Sequence, residues 1–99
     1  MNKFAPLCVA TLSNRFGVTI DVETMDVLIR DDRKFLKMLE RYYKPEHTSM
    51  DTADRDWLCD IVAKHLGYEH WPVNGDPESY SEDFKCTLIE YGYLKEDES

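Results

Sequence analysis

Glycine is scarce in this chain, with four residues in 99, all isolated from one another. No glycine-rich loop is available to cradle a phosphate on backbone amides, which argues against nucleotide-binding folds of the P-loop and dinucleotide types. Cysteine is limited to Cys8, Cys59 and Cys86, an odd number at no framework spacing. A disulfide scaffold is therefore not expected, and reduced, buried thiols in a reducing compartment are. No apolar run approaches the roughly 18–20 residues of a membrane span. The opening MNKFAPLCVATLSNRFG starts like a signal peptide, but Asn14 and Arg15 interrupt it early, so a cytoplasmic protein is expected. Nucleophile-elbow, phosphate-loop and Cys-His signatures are also missing, and the chain does not read as an enzyme.

What is present is helical periodicity. The hydrophobic fraction of 42% with 12% aromatic residues supplies one core, and 99 residues make one domain. The spacing predicts a first helix from about Pro6 to Phe16, closed by Gly17. Next comes a short element through Ile29 that Asp21 could cap, with an extended segment near 18–22 as the alternative. Asp31 or Asp32 opens a helix to about Tyr43, stopped by Pro45. Thr48 or Ser49 is expected to start the next, reaching Leu66. Asp51–Arg55 and Asp60–Lys64 form acid-before-base pairs on its outside. Pro72, Asn74-Gly75 and Pro77 mark an irregular loop, and Ser79 with Glu82 forms a capping box for a last helix ending at Gly92. The expected fold is all-α or mainly α, a compact single-domain bundle of four to five short helices over residues 1–95, with an acidic frayed tail at 96–99.

Metal ligation is the first chemistry to weigh, because Cys59, His65 and His70 are close in sequence. Cys59 and His65 are about 600° of helical rotation apart and point to different sides, so no metal or other cofactor is expected. Asp54, Asp56 and Asp60 lack the central glycine of a calcium loop. His47, beside Glu46 in a connector, reads as a solvated loop residue.

The segment Leu12-Ser13-Asn14-Arg15-Phe16-Gly17-Val18-Thr19 is similar to the turn of helix-turn-helix proteins, where a Phe-Gly-Val-Ser/Thr-like turn precedes the recognition helix. That resemblance implies a DNA-reading helix after Thr19. The chain departs from the pattern there: Asp21, Glu23 and Asp26 precede the first cation, Arg30, and would face phosphates.

Charge is the strongest signal. Residues 1–50 carry eight Lys/Arg against seven Asp/Glu, whereas residues 51–99 carry four against thirteen. Cations cluster instead at Arg30, Arg33, Lys34, Lys37, Arg41 and Lys44, along one side of a helix. Carboxylates so numerous must form an acidic surface that repels nucleic acid and anionic lipid and attracts basic protein surfaces. The expected role is therefore non-catalytic protein binding, in the manner of a phage or mobile-element inhibitor that imitates nucleic acid. The candidate binding residues are Asp51, Asp54, Asp56, Asp60, Glu69, Asp76, Glu78, Glu82 and Asp83, with Trp71 as an apolar anchor or, equally, a core residue. Its partner would carry a basic surface and handle nucleic acid, with no direct nucleic-acid or membrane contact by this chain. A homodimer through the basic helix 30–44 and the acidic half is a further expectation. The alternatives are a helix-turn-helix-like regulator and a general bacterial interaction module.

Overall fold

In a computed structural model, residues 2–72 and 80–95 are described. They form five helices joined by short connections, and among the described residues there is no strand. The first helix, α1 (Ala5–Phe16), carries Pro6 in its opening turn, where a missing N–H costs nothing. Gly17 ends it at φ 68°, its N–H donating to the Ser13 carbonyl at 3.1 Å while the Val18 N–H returns to Leu12 at 3.2 Å.

Residues 18–21 form neither helix nor strand, and Asp21, itself in extended backbone, caps α2 (Val22–Asp31). The Thr24 backbone N–H and hydroxyl both donate to the Asp21 carboxylate, at 2.9 and 2.8 Å, and hold that carboxyl below its ordinary range. Asp32 then caps α3 (Arg33–Tyr42) by accepting the Phe35 N–H at 3.1 Å. Pro45 stands three residues beyond the end of α3 and disfavours helical backbone at the residue before it.

The fourth helix, α4 (Thr52–His65), starts after Asp51 rather than at Thr48 or Ser49. The reason is tertiary: the Tyr43 hydroxyl accepts the Asp51 N–H at 3.0 Å and donates to Asp54 at 2.6 Å, which pins the first turn there. In α5 (Glu82–Glu90) the cap is Ser81, whose hydroxyl accepts the Phe84 N–H at 3.2 Å. The expected capping residue, Ser79, lies outside the described residues.

One core joins all five helices. Leu12, Phe16, Met25, Ile29, Phe35, Leu39, Leu58, Val62, Phe84 and Leu88 are each almost fully buried. Such side chains supply roughly 1.5–3 kcal/mol apiece on leaving water. The C-terminal helix is fastened to the start of the chain by two long-range bonds. The buried Tyr80 hydroxyl donates to the Phe16 carbonyl at 2.9 Å, and the Thr19 N–H donates to the Tyr93 carbonyl at 2.8 Å.

Candidate functional site

The acidic second half is built on the two helices α4 and α5 and on the segment between them. On α4, 100° per residue places Asp51 and Asp54 on one side and Asp56 and Asp60 on the other. The Asp51 backbone and the Asp54 carboxylate meet at the Tyr43 hydroxyl, which burial, with the bond to Asp54 and the two negative charges, pushes up to about 12. Asp56 and Asp60 lie one turn apart along the outer face, Asp56 exposed and Asp60 half-buried.

The segment 68–71 links this outer face to α5. The Trp71 backbone N–H donates to Asp60 at 3.1 Å, and the Tyr68 hydroxyl donates to Asp83 at 2.8 Å. Asp60 and Asp83 therefore flank a stretch whose end α-carbons stand at most about 11 Å apart. Exposed Glu69 lies within the stretch, and exposed Glu82 precedes Asp83. The acids thus form two groups: Asp51 with Asp54 beside α3, and Asp56, Asp60, Glu69, Glu82 and Asp83 around the α4–α5 link. Asp76 and Glu78 lie outside the described residues.

Neutralisation is sparse. Among the described residues the ion pairs are Arg30–Asp26 at 3.5 Å and His70–Asp60 at 3.7 Å. Neither helical pair expected on α4 forms. Arg55 reaches the Thr52 hydroxyl instead, at 3.5 Å, and Asp60 is engaged by Trp71 and His70 rather than by Lys64. Arg55, Lys64 and Lys85 bridge none of the described carboxylates.

Of the two places open to Trp71, the structure gives it the edge of the core. Trp71 is not a free-standing surface ring but packs on Phe16, Phe84 and Tyr80, with centroids 5.5, 4.9 and 5.9 Å away. Tyr68 packs edge-on against Phe84 at 5.2 Å, and Tyr80 is buried. Five aromatics thus meet at one end of the core. The sequence offered no local sign of this, because the Pro/Asn/Gly punctuation reads as loop whatever the tryptophan covers. Among the described residues the exposed large apolar side chains are Val27, Tyr42 and Tyr91, none of which was among the expected binding residues.

Cys59, His65 and His70 are employed separately. Cys59 is buried, and burial pushes its thiol up to about 12 with help from Asp56 and Asp60. The His65 Nε2 meets the Tyr93 hydroxyl at 3.1 Å, and His70 faces Asp60. His47 is fastened to its own loop through the Lys44 N–H, which donates to Nδ1 at 2.7 Å. On the helix that follows the helix-turn-helix-like turn, the exposed residues are Glu23, Val27, Arg30 and Asp31, a face with one cation and two acids. On α3, Arg33, Lys34, Lys37 and Arg41 are exposed, as is Lys44 beyond it. Comparison with protein-family models, curated proteins and solved structures finds no significant match.

Proposed function

We propose that this protein is a non-catalytic binding protein whose acidic second half engages a basic surface on another protein. In its specific form it is a small inhibitor of phage or mobile-element type, related in manner to anti-restriction and anti-CRISPR proteins. It occupies the nucleic-acid-binding surface of a host enzyme or defence complex and acts in the host cytoplasm. The observation that carries this reading is how few ion pairs the described residues form around the 68–71 segment. There Asp56, Asp60, Glu69, Glu82 and Asp83 collect around four residues, with His70 as the one described ion-pair partner. A cationic groove that neutralises successive phosphates meets a similar succession of carboxylates here, and the contact is salt-dependent for the same electrostatic reason.

The test is capture from host cells on the immobilised protein at about 50 mM and about 500 mM salt, followed by mass spectrometry. Nucleic-acid-handling proteins are retained at the low salt and lost at the high one, and Asp56→Lys with Glu82→Lys removes them at the low salt as well. Retention of unrelated proteins alone reduces the reading to a general interaction module. A second reading, a helix-turn-helix-like regulator, draws support from the exposed cations along α3. It requires direct binding to duplex DNA that charge reversal at Arg33, Lys34 and Lys37 abolishes, whereas the first requires none.

A further inference from the structure

A groove of about 690 Å³ lies between the α2–α3 corner and the end of α4. Its floor is apolar, from Leu28 and Ile61, and Arg33, Lys34 and Lys64 stand around it. Two aspartates share the rim. Asp32 is turned to structural use, accepting the Phe35 N–H and the Trp57 indole N–H at 3.1 and 3.4 Å, and Asp31 is exposed. None of the three cations bridges a described carboxylate, so an apolar floor and unspent positive charge occur together.

His65 lines the same groove and connects it to a second feature. The Tyr91 ring packs edge-on against the His65 ring at 5.8 Å, yet Tyr91 remains 47% exposed at the end of α5. Exposed Glu90 precedes it. An exposed aromatic ring thus stands beside a groove built of cations and aliphatic side chains, and an exposed carboxylate precedes that ring in the chain. A two-fold contact needs two complementary features side by side on one face, so that each copy supplies both halves. That condition holds here.

We infer that this face pairs two copies of the chain, with Glu90 and Tyr91 of each copy entering the other's groove. The carboxylate meets Arg33, Lys34 and Lys64, and the ring lies over Leu28 and Ile61. A two-fold pairing closes on itself and stops at the dimer, because each copy's groove and projection are both occupied. The inference stands apart from the acidic-surface reading. Asp56, Asp60, Glu82 and Asp83 take no part in the pairing, so either proposal can fail alone.

Sedimentation equilibrium over a wide concentration range tests it. The purified chain should approach twice its 11.7 kDa as concentration rises. Glu90→Lys and Tyr91→Ala should each hold it at the single-chain mass, with far-UV circular dichroism unchanged because both side chains are exposed. Glu90→Lys combined with Lys34→Glu and Lys64→Glu should restore the dimer by exchanging the two charges, and Val27→Ala, on an exposed site outside the groove, should not disturb it. A single-chain mass at every concentration overturns the inference, as does a dimer that survives Glu90→Lys and Tyr91→Ala. A charge exchange that fails to restore a dimer lost in the single variants overturns the assignment of Glu90 to the groove.

Discussion

Replacing Trp71 by alanine separates a roof of the core from a binding anchor. Complete removal of a buried tryptophan costs about 3–5 kcal/mol. Trp71 is half-buried, and its ring contacts Phe16, Phe84 and Tyr80. The expected loss is therefore about 2–3 kcal/mol, close to half of a small domain's stability at the lower end of the usual range. For a domain of this size each kcal/mol lowers the midpoint by roughly 4–8 °C, so the thermal transition should fall by about 10–20 °C. The indole Nε1 is buried without a hydrogen-bond partner among the described residues, so Trp71→Phe forfeits no bond and should remain within about 1 kcal/mol of the natural chain. Urea unfolding followed by far-UV circular dichroism measures both variants without depending on tryptophan emission. A Trp71→Ala protein within about 0.5 kcal/mol of the natural chain would refute the packing argument and return the ring to the surface.

Asp32→Ala should cost about 1–2 kcal/mol in the same assay, because it removes the α3 cap and the acceptor of the Trp57 indole. Asp32→Asn, an equally good cap, should recover most of that loss. Equal losses in the two variants would show that the charge rather than the cap matters. The thiols should divide by exposure: burial pushes Cys8 and Cys59 up to about 12, so neither is a thiolate at pH 8, whereas Cys86 is exposed. A disulfide reagent should titrate one thiol of the native chain and all three in denaturant, and fast reaction of a second thiol would place Cys8 or Cys59 wrongly.

The helices were legible because each carries its own stripe and its own punctuation. Gly17, Asp21 and Asp32 act within three or four residues of themselves, and the sequence displays such local bonds directly. The errors fall where a distant partner decides. Nothing near Ser49 announces that the Tyr43 hydroxyl fixes the start of α4 at Asp51. Ser79 with Glu82 satisfies the capping-box pattern, but Ser81 caps α5 and Tyr80 is directed into the core toward Phe16. The acids were visible as a composition, yet their division into two groups depends on Tyr43 and on the 68–71 segment. The helical ion pairs on α4 fail for a similar reason: Asp60 is engaged by backbone that arrives from eleven residues away.

The bonds from Tyr80 to Phe16 and from Thr19 to Tyr93 bear on how the chain comes into being. The helix α1 has no finished environment until residues 80–93 have been synthesised. Phe16 and Leu12 must wait for Phe84 and Leu88, so an emerging N-terminal fragment leaves those rings and aliphatic groups wet. Releasing α5 withdraws Phe84 and Leu88 from the core they share with Leu12 and Phe16, so the loss of α5 is felt at α1.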